Sequence, residues 1–299
     1  MNALVPTVRA DGRVAIFGGP YSNLEATQAF FEEMARLGIP SERIICTGDV
    51  VAYCADAAAT TALVRESGCH VVMGNVEENL AAGAADCGCG FEDGSTCDRL
   101  SAAWFAHATA QVSADDRVWM GGLPRSIALE IGDHRFAVVH GGVDAINQTI
   151  YASTDAAIKT TEIGKTGLHG VIGGHCGLPF TQRIGDALWH NSGALGMPAN
   201  DGTPRVWFSL LQRDKDGITI EHRALHYDHA TAAAKMRRAG LPEEYAAALA
   251  SGIWASADTL PAAELDAGGV PLPESRMVFN RRGWQGARAE QPASPASAS

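Results

Sequence analysis

With 299 residues, 46% hydrophobic and 19% charged, the sequence suits one large domain, or one domain with an appendage. A formal net charge of −11 without any basic run of five or more counts against a nucleic-acid surface. No apolar run reaches the roughly 20 residues of a membrane span, and 1–12 lacks a charged-then-apolar signal layout, so a cytoplasmic location is expected.

Taken in order, 13–17 reads as a first strand and 18–22 as a turn, after which Asn23 caps a helix with Leu24, Thr27, Phe31, Met34 and Leu37 near one face. A strand at 43–46, an Ala-rich helix at 56–66 and a strand at 70–73 follow. Strand, helix, strand, helix, strand with short joins means βαβ units and a mostly parallel sheet. The stretch 85–97 is too rich in Gly, Asp and Cys for an element, and 99–112 reads as a helix. Strands are expected at 126–131, 135–139, 170–172, 182–184, 187–189, 206–211 and 218–222, with a helix at 155–163. So many strands in the second half predict a second sheet packed on the first. The stretch 227–250 is helical, broken at Gly240-Leu241-Pro242, and the part after Trp254 is irregular. The expected division is a domain over 13–225, a C-terminal helical or irregular extension packed on it over 226–285, and a disordered tail over 286–299.

Four residues that follow apolar runs carry chemistry: Asp49, Asn75, His140 and His175. Each ends a predicted strand, and ligands of open α/β sheets bind at such strand ends. A carboxylate, an amide oxygen and two imidazoles suit zinc, manganese or iron rather than calcium. A divalent ion held there would polarise a phosphoryl oxygen and acidify a water.

Together these motifs resemble the calcineurin-like metallophosphoesterase superfamily, in its small bacterial phosphodiesterase branch. The resemblance runs from about Val14 to His222. Ser22-Asn23-Leu24-Glu25-Ala26 is similar to the helix start after the family's first metal motif. Gly48-Asp49-Val50-Val51-Ala52-Tyr53 resembles the second motif, Gly74-Asn75 the third, His140-Gly141 the fourth and Gly174-His175 the fifth, with Asn191-Ser192-Gly193 beyond. The resemblance implies an α/β fold, a two-sheet β-sandwich flanked by helices, here with a C-terminal helical extension.

Three departures fall together. Gly19-Pro20-Tyr21 stands where the family has Asp-x-His, Val76 where Gly-Asn-His has its His, and Gly177 where Gly-His-x-His has its second His. By the resemblance, the Asp-x-His pair and that last His hold one metal, and Asp49, Asn75, His140 and His175 hold the other. One site is stripped and the other complete, which predicts a mononuclear or rebuilt centre. The His replaced by Val76 would stabilise the transition state or protonate the leaving group. Tyr21 could fill the vacated space, contact substrate, or ligate iron. His190, beside Asn191, lies near the site without an assigned role.

Seven cysteines, an odd count, argue for reduced thiols or metal ligation rather than a disulfide framework. Cys87, Cys89 and Cys97, with Cys54 near the same rim, are candidates for redox thiols, a second thiolate-bound metal or an iron–sulfur cluster. Cys46 and Cys69 read as core, and Cys176 should point away from the metal. Three functions follow as expectations: a phosphoesterase cleaving a small phosphomono- or diester with metal-activated water, a non-catalytic phospho-ligand-binding or regulatory member, and an iron/thiolate redox or lyase enzyme. The oligomeric state is open.

Overall fold

The computed structural model describes residues 5–90 and 92–280, and the backbone of 285–289. Strand β1 (Thr7–Ala10) alternates exposed and buried residues, whereas β2 (Val14–Phe17) is buried at every position. A strand accepts such a continuous apolar run only where both of its faces are covered. Helix α1 (Leu24–Arg36) covers one of them. Its first turn is fixed by Asn23, whose side-chain oxygen accepts from Ala26 N at 3.1 Å. A single 3-10 turn at Ser41–Arg43 shortens the next strand to β3 (Ile44–Cys46). Helix α2 (Ala57–Ser67) then leads to β4 (His70–Val71).

The strand expected to run to Met73 stops at Val71, and Asn75 opens a helix that the sequence reading missed, α3 (Asn75–Ala82). The switch has a local cause: Glu77 at the third helical position accepts from Gly74 N at 2.9 Å and caps the turn. Helix α4 (Thr96–Gln111) begins three residues before its expected start because Ser95 caps it, accepting from Asp98 N at 3.1 Å. A further unanticipated helix, α5 (Ala114–Gly121), starts at a Ser113/Asp116 capping box.

The second half supplies β5 (Ser126–Ile131), β6 (His134–Val139), α6 (Ala156–Thr166), β7 (Gly170–Gly173), β8 (Pro179–Ile184), β9 (Ala187–Ser192), β10 (Val206–Asp214) and β11 (Gly217–Leu225). Helices α7 (His229–Arg238) and α8 (Glu243–Ser251) flank the expected break at Gly240-Leu241-Pro242. The segment read as irregular holds a short helix, α9 (Ala262–Asp266), and a strand, β12 (Ser275–Phe279), which pairs antiparallel to β11. Strand β13 (Gln285–Ala289) pairs with β12, although 286–289 had been assigned to a disordered tail; residues 290–299, the rest of that tail, lie outside the described residues. Among the described residues no helix is long and apolar enough to cross a membrane.

Two mixed sheets result. One runs β1-β5-β6-β7-β9-β8 and the other β13-β12-β11-β10-β2-β3-β4. They pack face to face through Ile16, Ile45, Leu129, Phe136, Leu211 and Ile220, so alternate residues of each strand point into one shared core. On the outer face of the larger sheet, Phe17 meets Phe30 of α1 with ring centroids 4.5 Å apart. Phe30 is fully buried, and taking such a side chain out of water contributes about 2–3 kcal/mol. The outer face of the smaller sheet packs Val171 and Trp189 against Ile163 of α6. A further cluster joins Trp104, Met236 and Leu249 of the helices to Tyr21, Val51 and Val76, and so ties the C-terminal extension to the strand ends where the site lies.

Candidate metal centre and its cleft

The chain leaves β3 into Thr47-Gly48-Asp49, β4 into Gly74-Asn75, β6 into His140 and β7 into Gly174-His175. Strands β3 and β4 are parallel in one sheet, as are β6 and β7 in the other, so all four chain exits open on the same edge of the sandwich. Two of these residues sit in the left-handed region, Asp49 at φ 55° and His175 at φ 60°, as does Tyr21 at 52°. Non-glycine residues adopt that conformation at a cost of about 1–3 kcal/mol, and such strain concentrates where geometry matters for function.

Glu77 holds the two carboxylate- and amide-bearing loops together. Its fully buried carboxylate accepts from Asp49 N at 2.8 Å, Val50 N at 2.9 Å and Gly74 N at 2.9 Å. Burial, and next the Asp49 carboxylate, push its pKa up to about 7. Sequence reasoning passed over this residue, although an acidic side chain two positions after Asn75 was a visible signal.

The four strand-end side chains converge. His140 Nε2 lies 3.0 Å from Asn75 Oδ1, 3.0 Å from His175 Nδ1 and 3.2 Å from Asp49 Oδ2. Among the described residues, Asp49, His140 and His175 form the one group of three or more His, Cys, Asp or Glu side chains whose ligand atoms lie within 4.8 Å of one another. Each is turned inward by a bond on its far side. His140 Nδ1 donates to Thr47 O at 2.7 Å, and His175 is hydrogen-bonded to the Asn147 backbone. Asn75 Nδ2 donates to Cys87 O at 2.9 Å, which points the amide oxygen at the centre. Asp49 Oδ1 accepts from Val76 N at 3.3 Å, which frees Oδ2.

Lone pairs from two imidazoles, a carboxylate and an amide thus face one another in a buried space, an arrangement that requires positive charge among them. Donors bonded to a cation at about 2.1 Å lie about 3.0–3.4 Å apart when adjacent, which is the spacing found. The site fits a divalent cation. The electrostatics carry the same signature. Burial pulls His140 down, but the Asp49 carboxylate outweighs it and holds the imidazole above its usual pKa. Burial likewise opposes ionisation of Asp49, and His140 reverses the balance so that its pKa is lowered. Burial and then His140 push His175 down to about 4, leaving it neutral at pH 7.

Of the departed ligand positions, Gly19 is filled and Gly177 is only flanked. A Cβ added at Gly19 would lie 2.2 Å from both Cε1 and Cζ of Tyr21, so the phenol ring occupies the volume an Asp would need there. A Cβ at Gly177, where φ is +72°, would meet Trp254 Cζ2 at 3.4 Å and Cη2 at 3.6 Å. The Tyr21 ring is 5% exposed and packs edge-on against Tyr53 at 4.9 Å. Its phenol is pushed well above the ordinary tyrosine pKa, by burial and then by Asp49.

The candidate thiols do not assemble. Cys87 and Cys89 are joined by a disulfide, contrary to the expectation of reduced thiols, and neither sulfur offers a thiolate. The bridge closes the loop whose carbonyl orients Asn75, and Cys89 Sγ itself lies 3.6 Å from Asn75 Nδ2. Cys54 is buried with Sγ toward Gly196 O at 3.7 Å, and burial pushes its thiol well up. Cys97 is in the first turn of α4, beside Ser256. Cys176 is buried, with Sγ 3.6 Å from Leu178 O. His190 sits between the sheets, bonded to Thr181 Oγ1 at 2.8 Å and Ser209 Oγ at 2.7 Å. The cleft wall also includes Tyr151, Tyr245 and Trp254. The last two belong to the extension, and no local pattern pointed them at the site.

The sequence model of the calcineurin-like phosphoesterase superfamily domain matches residues 13–215. A metallophosphoesterase from Sphaerobacter thermophilus shares the fold, with a TM-score of 0.64 and 23% identity, over 81% of this chain and 99% of that one. So does a hypothetical protein from Pyrococcus horikoshii OT3, with a TM-score of 0.68 and 16% identity over 81% and 99% of the two chains. No curated protein matches in sequence. With the match covering two-thirds of its length, the chain belongs to the calcineurin-like phosphoesterase superfamily.

Proposed function

We propose that the protein is a phosphoesterase that works from a single divalent cation (zinc, manganese or iron) held by Asp49, Asn75, His140 and His175. The observation that supports it is the convergence of those four donors beside a ligand position filled by the Tyr21 ring, with the Trp254 indole against Gly177. Bound there, the cation supplies Lewis acidity toward a phosphoryl oxygen and lowers the pKa of a water. The chain supplies the rest. Thr47 and the Asn147 backbone hold the imidazoles in the orientation that presents a bare nitrogen to the centre. Tyr21 keeps its proton at neutral pH, because burial and Asp49 raise its pKa. In this reading its Oη donates a hydrogen bond to a phosphoryl or leaving-group oxygen, a role left open where Val76 replaces the family's His. Tyr245 and Trp254 supply apolar wall beside the centre. The substrate is a small phosphomono- or diester. An iron–thiolate reading has no such support, since the sulfurs of Cys87 and Cys89 are bonded to each other.

The test is metal content together with hydrolysis of p-nitrophenyl and bis(p-nitrophenyl) phosphate. The wild type should hold about one equivalent, retained in Cys87→Ser/Cys89→Ser and lost with hydrolysis in Asp49→Ala. Two equivalents, or hydrolysis indifferent to Asp49→Ala, would overturn the proposal.

A further inference from the structure

Beside the four donors lies a cavity of about 180 Å³ that begins at Asp49 and His175 and runs under the C-terminal extension. Its walls are aromatic, built by Tyr21, Tyr53, Tyr151, Tyr245 and Trp254, with Met197 among them. Tyr53 is the hinge of this arrangement, its ring 4.9 Å from Tyr21 and 5.0 Å from Tyr245. Two polar tips are consumed by the protein itself. Tyr151 Oη donates to Thr259 O at 3.1 Å, and Trp254 Nε1 donates to Pro198 O at 2.7 Å. What those side chains leave for a ligand is ring surface.

Charge narrows the occupant further. Among the described residues no lysine or arginine lines the cavity, and the one carboxylate that does, Asp49, belongs to the metal centre. A second phosphate would enter with no counter-charge, and an unpaired buried charge costs too much to be tolerated. Size narrows it again. An engineered apolar protein cavity of about 150 Å³ holds one benzene, so a space of about 180 Å³ matches a single ring.

We propose that this cavity is the subsite for the organic group of the substrate, and that the group is a single uncharged aromatic ring, or an apolar group of that size, on a substrate with one phosphoryl group. The inference rests on the single-cation phosphoester reading and names its substrate class. Flat rings gain from edge and face contacts with tyrosine and tryptophan beyond the area they bury. Dinucleotides and other polyphosphate esters fit this reading less well, since no described lysine or arginine lines the cavity to pair a second phosphate.

The test is calorimetric binding of phenylphosphonate, methylphosphonate and inorganic phosphate to the Mn²⁺-loaded protein, which does not depend on turnover. Phenylphosphonate should bind about tenfold tighter than methylphosphonate or better. That ratio should shrink toward one in Trp254→Ala and, separately, in Tyr245→Ala. Equal affinities for the two phosphonates in the wild type would overturn this inference alone. Failure of all three anions to bind the loaded protein would overturn the phosphoester reading with it.

Discussion

Replacing Gly19 by Ala adds one methyl group where the Tyr21 ring already stands. The new Cβ would lie 2.8 Å from Cδ1 and 2.2 Å from Cε1 and Cζ, the last two more than 1 Å inside ordinary van der Waals contact of about 3.4–4 Å. The ring cannot swing aside freely, since it is 5% exposed and packs edge-on against Tyr53. Overpacking of this kind costs about 1–3 kcal/mol, and each kcal/mol lowers Tm by about 2–4 °C in a chain approaching this size. Tyr21→Ala, which empties the space, costs about 3–5 kcal/mol by the usual measure for a buried aromatic. Once the ring is gone the Gly19 methyl has room, so in the double variant it adds nothing. Thermal unfolding of wild type, both single variants and the double variant therefore reads an interaction energy of about 1–3 kcal/mol. If Gly19→Ala costs the same with and without the Tyr21 ring, the ring is not what fills the emptied ligand position, and the argument for a single-cation centre loses its geometric basis.

Two further outcomes follow from buried titratable groups. Burial pushes His222 down to about 4, so the folded chain stays neutral while the unfolded chain protonates near 6.5. The contribution of His222 to stability is complete above about pH 6.5 and is lost as pH drops toward 4, about 3 kcal/mol for this one group. Thermal unfolding between pH 7.5 and 4.5 should show this slope, and His222→Gln should flatten it; an unchanged slope in the variant would assign the pH dependence elsewhere. Glu77→Gln keeps shape but sets an NH₂ group against backbone N–H donors of Asp49, Val50 or Gly74. It should cost about 1.5–3 kcal/mol of stability and weaken Mn²⁺ binding about 10- to 100-fold by calorimetry, whereas unchanged metal affinity would mean that Glu77 only shores up the loop.

Much of the fold was legible because short apolar runs such as 14–17 and 170–172, each ended by a glycine, are too short for a helix and suit strands covered on both faces. The strand-end residues Asp49, Asn75, His140 and His175 were legible for the same reason: strand direction and a break after each run suffice to bring them to one edge. Helix α3 was not, because its start depends on a cap made by Glu77, a contact that apolar periodicity does not register. Strand β12 was hidden because its partner, β11, lies some fifty residues earlier and its burial is mostly partial. The Cys87–Cys89 bridge defied the sequence since Cys-x-Cys serves equally for thiolate ligation, and only the positions of the sulfurs separate the two. The aromatic wall was the deepest loss. Trp254 meets Gly177 through a long-range contact with no periodic trace in either segment.

Tyr245 and Trp254 stand beyond residue 215, where the match to the superfamily domain ends. The part of the chain that carries the four donors and the part that walls the cavity beside them are therefore separable in sequence. Selection can resculpt the extension, one ring at a time, while the ancestral motifs stay untouched. Two members alike at every ligand would then differ in diet, and grouping such proteins by their shared motifs alone would merge enzymes that never compete for the same molecule. In this chain, part of the wall beside the four donors, Tyr245 and Trp254, lies outside the stretch that defines its kinship.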